Sequence, residues 1–251
     1  MIDIHTHILP GLDDGAKSLE EAVAMVHMAA AAGTTDIVAT PHANHQYRFD
    51  PVIVEQKIAE VREASGNVVR IHRGCDFHMS VENISDALEN PAKYAINGKG
   101  YVLIEFSNFN IPPAIEGILD DMLASGITPV ITHPERNSLL HSRLSQIQRW
   151  VANDCTVQIT AQSLLGRFGK AAKAFADQLL RKNLVHFVAS DAHDTEWRPP
   201  ILTEAYSCVR KEYGDSEAER LFVSNPMAVI QGEPLAITRS PKTKWYHRIT
   251  S

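Results

Sequence analysis

The sequence predicts an α/β protein built on a parallel sheet or closed barrel, on three observations. Its 251 residues suit one large core, a length that α/β barrels commonly occupy. Apolar runs of strand length alternate with amphipathic stretches of helix length, the pattern of parallel strands joined by crossover helices. Side chains able to bind metal recur where the strands end, the side on which barrel active sites are built.

Seven strands are expected, at residues 2–7, 36–40, 68–74, 101–106, 128–133, 156–160 and 185–190. The first helix starts at SLEE, where Ser18 caps, Glu21 completes a capping box, and Gly33 ends the run. A second starts at Asp50-Pro51, a cap followed by proline at the first helical position, and stops at Gly66. Further helices are expected over 113–125, 142–154, 170–182, 200–213 and 216–223. With no internal repeat and no linker, residues 1–232 form one domain; the basic stretch 233–251, lacking apolar periodicity, is expected to be a solvated, flexible tail.

Composition narrows the function. Hydrophobic residues at 44% and charged residues at 22% are globular values, and a net charge of -6 excludes a general nucleic-acid binder. Three cysteines without a CxxC spacing fit reduced thiols. The N-terminus shows no signal peptide, and no apolar run approaches the roughly 20 residues of a spanning helix, so a cytoplasmic protein without membrane insertion is expected. A homo-oligomer is compatible with the sequence.

The metal-capable residues form a pattern. His5 and His7 close the first strand, His42 follows the second, and Asp76 follows the third. Glu105 lies at the end of the fourth, His133 ends the fifth, and Asp191 and His193 follow the seventh. Six of the seven strands therefore end in a ligand type, and the period of two puts His5 with His7, and Asp191 with His193, on one side. His27, His45, His72, His78, His141, His186 and His247 do not combine a strand-end position with motif spacing and are set aside. Mixed imidazole and carboxylate donors suit Zn, Mn or Fe, an all-oxygen set suits Mg, and so many candidates imply two or three divalent ions. Such a site supplies an activated water near neutral pH.

Two arginines select the chemistry. Arg136 follows His133 by three residues and Arg198 follows His193 by five, in loops on the same face. A guanidinium fork grips phosphate in bidentate fashion, which favours phosphoester hydrolysis. A cysteine-dependent phosphatase is excluded, because the residues six after Cys75, Cys155 and Cys208 are Val81, Ala161 and Gly214 rather than arginine. GRFGKAAK lacks the spacing of a phosphate loop, and no G-x-S-x-G elbow is present.

Together DIHTHILPGLDDG, TPH, GCDFH, LIEFS, ITHPER and ASDAHDTEWRPP resemble the polymerase and histidinol phosphatase (PHP) superfamily. Within it they are most similar to the bacterial metal-dependent protein-tyrosine phosphatases of capsular and exopolysaccharide operons, the CpsB and YwqE type, over residues 1–232. The resemblance implies a distorted (β/α)7 TIM-like barrel, a trinuclear site often loaded with manganese, and hydrolysis of phosphotyrosine on the tail of a tyrosine autokinase. Carried over by motif, the ligands are His5, His7, Asp14, His42, Asp76, Glu105, His133, Asp191 and His193, with Asp13 as the alternative to Asp14 in the DDG turn. Arg136, Arg198 and His42 form the catalytic set. Asp76 stands where the family commonly has a glutamate, one methylene longer. A small-molecule phosphatase of histidinol-phosphate type and a catalytically silent PHP module are the competing readings.

Overall fold

In a computed structural model the chain is described over residues 1–235, so the expected tail lies, from residue 236 on, outside the described residues. Among the described residues there are nine strands: β1 (Ile2–Thr6), β2 (Asp36–Ala39), β3 (His42–Ala43), β4 (Arg70–Arg73), β5 (Asp76–His78), β6 (Tyr101–Glu105), β7 (Thr128–Thr132), β8 (Thr156–Thr160) and β9 (Phe187–Ala189). They make seven staves, because the second and third expected strands are each broken once. Pro41 has no N–H to continue the ladder between β2 and β3. Gly74 splits β4 from β5, and a Cβ there would lie 2.6 Å from Val38 Cγ1.

All strand pairs are parallel, in the orders β1-β2-β4 and β3-β5-β6-β7-β8-β9. Hydrogen bonds across the breaks join the two sheets: Gly74 N donates to Ala39 O at 2.9 Å and Asp76 N to Pro41 O at 3.1 Å. On the other side Asp191 N donates to His5 O at 2.9 Å and His7 N to Ala192 O at 2.8 Å, with Thr6 bridging Ala192. The result is a closed, distorted TIM-like barrel.

The helical starts match their sequence signals. Ser18 Oγ accepts from Glu21 N ahead of helix Leu19–Ala31, while Glu21 reaches Lys17 N rather than the N–H of Ser18. Asp50 accepts from Val52 N and Ile53 N ahead of helix Pro51–Ala64. Helix Val81–Glu89, capped by Ser80, is additional to those expected. The last expected helix instead runs on from Asp215–Glu219 through a π turn, Arg220–Ser224, into Asn225–Gln231. Among the described residues no helix is long and apolar enough to cross a membrane.

Two apolar layers result. Outside the staves, Ile37, Ile71, Ile104, Ile131, Val157 and Val188 pack against the helices. Inside, the lower barrel is filled by Ile2, Ile4, Val38, Leu103, Val130 and Phe187, and Val229 and Ile230 of the last helix close it from below. That helix is tied by Asn97 Nδ2 donating to Ile230 O at 3.1 Å.

β1 carries an irregularity that matters for the site. Its register against β2 slips by one residue between Asp3 and Thr6, a bulge. Ile4 packs inside with Leu103, yet the adjacent His5 also points inward and donates from Nδ1 to Gln158 Oε1 at 2.9 Å. The bulge thus lets one strand present isoleucines to the floor and then histidines to the mouth.

Candidate metal centre

The nine predicted ligand residues all come together at the C-terminal mouth. His5 Nε2 lies 3.4 Å from Asp191 Oδ1 and 3.7 Å from Asp76 Oδ2. His7 Nε2 lies 3.3 Å from Asp191 Oδ1 and 3.3 Å from His5 Nε2. The next segment resolves the DDG pair. Asp13 accepts from His7 Nδ1 at 2.7 Å, from Gly15 N and from His42 N, so it orients an imidazole from behind. Asp14 faces the mouth, 3.3 Å from His42 Nε2 and 3.5 Å from His193 Nε2. Gly15 is required by closeness rather than by angle, since a Cβ would sit 2.0 Å from His7 O.

The broken staves supply the second wall. His42 Nδ1 is 2.9 Å from Asp76 Oδ2 and 3.7 Å from Glu105 Oε2. His78, which the sequence analysis set aside, belongs to the site: its Nε2 is 2.6 Å from Glu105 Oε2 and 3.2 Å from His42 Nδ1. The signal for it is present in the sequence, because Asp76-Phe77-His78 repeats the D-x-H spacing of Asp191-Ala192-His193. Glu105 Oε1 also lies 3.9 Å from His133 Nε2.

Two strand ends are strained. His133 and Asp191 adopt left-handed backbone at φ 32° and 53°, a cost of about 1–3 kcal/mol each that functional sites commonly carry. Asp191 is the junction of the centre. Its Oδ1 faces His5 and His7, while Oδ2 accepts from Arg136 Nη1 and from Arg198 Nη2, the latter at 2.5 Å. Neither arginine pairs with its neighbouring glutamate. Glu135 instead turns into the protein, accepting from Thr160 N at 2.8 Å.

The donor chemistry fits divalent cations. Four overlapping groups have donor atoms within 4.8 Å of one another: His7, Asp14, His42 and His193; His42, Asp76, His78 and Glu105; His5, His7 and Asp76; His5, His133 and Asp191. Both carboxylate oxygens of Asp76 and Oε2 of Glu105 are buried without an aligned hydrogen bond, even though imidazole nitrogens approach them closely. Burial pushes the Glu105 carboxyl up, reinforced by Asp76; burial also opposes the charge on Asp76, but His5 and His42 hold it well below the usual range. Burial likewise opposes charge on His42, yet Asp14, Asp76 and Glu105 outweigh it and push the ring up to about 11. Buried carboxylate oxygens without aligned donors are what a divalent cation at the mouth would satisfy. His133, lowered by burial and by Arg136, and His193, lowered by burial and by His7 to about 4, keep the neutral form that binds metal.

Fold and site together define a distorted TIM-like barrel protein with a candidate multinuclear metal centre at its C-terminal mouth. A family profile described as capsular polysaccharide synthesis, CpsB/CapC, matches residues 1–231, and the chain belongs to that family. It is 35% identical over 245 residues to the tyrosine-protein phosphatase YwqE of Bacillus subtilis (strain 168), spanning 94% of this chain and 93% of the relative. To the tyrosine-protein phosphatase CpsB of Streptococcus pneumoniae it is 35% identical over 245 residues, spanning 93% and 99%. Crystal structures of YwqE from Bacillus subtilis and CpsB from Streptococcus pneumoniae, described as unique metal-dependent tyrosine phosphatases, provide a match at TM-score 0.87 and 33% identity, covering 94% of this chain and 96% of that one.

Proposed function

We propose that this chain is a metal-dependent protein-tyrosine phosphatase acting in the cytoplasm on the phosphotyrosine-bearing tail of a tyrosine autokinase, in the control of capsular or exopolysaccharide synthesis. The observation that carries the reading is Asp191, whose two oxygens join the imidazole donors on one side to a pair of guanidiniums on the other. Membership of the CpsB/CapC family supports it.

In this reading His5, His7, Asp14, His42, Asp76, Glu105, His133, Asp191 and His193 hold two or three divalent ions, manganese foremost, and His78 joins them. When bound, the ions supply Lewis acidity and an activated water at neutral pH. Arg136 and Arg198 bind the equatorial phosphate oxygens, which compete for them with Asp191 Oδ2. As charge develops on those oxygens, the two guanidiniums stabilise it. His42 links two donor groups through its two ring nitrogens and keeps the carboxylates around it oriented. A phenolate leaves with a pKa of about 10, so the tyrosyl oxygen departs without a strong general acid.

The test loads the metal-free protein with Mn2+, counts ions per chain, and compares a phosphotyrosine peptide with histidinol phosphate. Two or three ions and faster peptide hydrolysis are expected. A saturating count of one, or a preference for histidinol phosphate, overturns the reading.

A further inference from the structure

Of the seven staves, β8 is the one whose end offers no ligand-type side chain. The chain beyond it runs through Ala161–Leu164 into GRFGK, the stretch that lacks the spacing of a phosphate loop. Its backbone nonetheless turns back over the mouth. Gly166 N donates to Ser163 O at 3.0 Å, Arg167 N to Gln162 O at 2.9 Å and Gly169 N to Gly166 O at 3.0 Å, with Gly166 and Gly169 left-handed at φ 76° and 90°. Helix Gly169–Arg181 anchors the turn on one side and an Arg167 to Glu204 ion pair at 3.1 Å on the other.

This turn delivers Phe168 to the arginines. Arg136 Cζ lies 4.3 Å from the Phe168 ring centroid and Arg198 Cζ lies 6.0 Å from it. The ring joins neither apolar cluster of the barrel, so its place is not explained by core packing. Two guanidiniums that share one carboxylate oxygen repel each other, and an aromatic face is the neutral surface that attracts both. It also shields them from water on one side without consuming a donor, which leaves N–H groups such as the buried, unpartnered Nε of Arg198 for a ligand.

We infer that Phe168 is a positioning residue for phosphate binding: its ring holds Arg136 and Arg198 as a preformed pair, and β8 thereby contributes to the site through an aromatic rather than a ligand. The inference rests on the proposed role of the arginines in binding phosphate, and its test does not require turnover. The Mn2+-loaded full-length protein and its Phe168→Leu, Phe168→Met and Phe168→Tyr variants are titrated calorimetrically with inorganic phosphate, with ion content and melting temperature measured alongside. The aliphatic variants are expected to weaken phosphate binding about tenfold, the scale of one or two cation–π contacts, with ion content intact, while Tyr retains wild-type affinity. Two aliphatic replacements keep the comparison open if one folds poorly. Wild-type affinity in the aliphatic variants, or an equal loss in Tyr, overturns the inference. Failure of the wild type to hydrolyse phosphotyrosine while this pattern holds overturns the phosphatase reading alone.

Discussion

The floor and the mouth of the barrel are lined by the same staves, yet they are opposite in chemistry: the floor is sealed from solvent, while the mouth leaves Asp14, His78 and Glu105 partly open to it. At the floor, Ile2, Ile4, Leu103, Val130 and Phe187 fill the interior and a helix seals it. At the mouth, a residue or two further along the same strands, the interior holds imidazoles and carboxylates, two of them on left-handed backbone. The floor is satisfied by its own contacts, whereas Asp76 and Glu105 at the mouth keep buried oxygens without aligned donors. Stability and chemistry are thus separated along the barrel axis, which suits a fold whose site is built to receive external charges.

The sharpest way to break this division is at the arginine pair. Arg136→Ala is expected to lower turnover of a phosphotyrosine peptide by about 10³-fold with ion content and melting temperature held; near-normal turnover would refute its role. At the floor the pattern reverses. Phe187 is fully buried, so Phe187→Ala should cost about 3–5 kcal/mol of stability in denaturant titration while activity per folded molecule persists. Loss of bound ions in a still-folded variant would show that the two ends are coupled.

His186 sharpens the comparison through pH. Burial, with Arg220 nearby, depresses its ring to about 4 from 6.5, and its Nδ1 accepts from Val157 N. The unfolded chain therefore takes up the proton first, so this contribution is complete above about pH 6.5 and is lost as pH falls toward 4, about 3 kcal/mol in all. Urea midpoints at pH 7 and pH 5 should differ less in His186→Asn than in the wild type; equal slopes would remove His186 as the cause. The smallest effect is expected at His78, where replacement by Ala should weaken ion retention by about 10–100-fold in competition with a chelator. Unchanged retention would return His78 to the periphery.

Much of this was legible because strand ends and ligand spacing are local signals. The stave from Thr156 to Thr160 matches its expected range, and the nine ligand candidates meet where the strands end, the end on which barrel sites are built. What escaped depends on contacts between distant segments. β3 and β5 are two and three residues long, too short for periodicity to mark, and their breaks reflect Pro41 and the crowding of Gly74 against Val38. His78 was missed because the third strand was expected to end at Gly74, although the D-x-H spacing was in view. Asp13 and Asp14 are adjacent and chemically identical, and only the return of the turn over His7 assigns one behind the ring and the other to the opening.

The bulge in β1 has a bearing on how such a chain tolerates change. A strand of unbroken alternation shows the interior a single phase, but this one shifts phase at one peptide, so the residues before and after it answer to different requirements. Substitution below the shift tunes a plug, and substitution above it tunes a chelate. The first stave therefore behaves as two independent inscriptions joined end to end, and the peptide between Ile4 and His5 marks where one stops governing and the other begins.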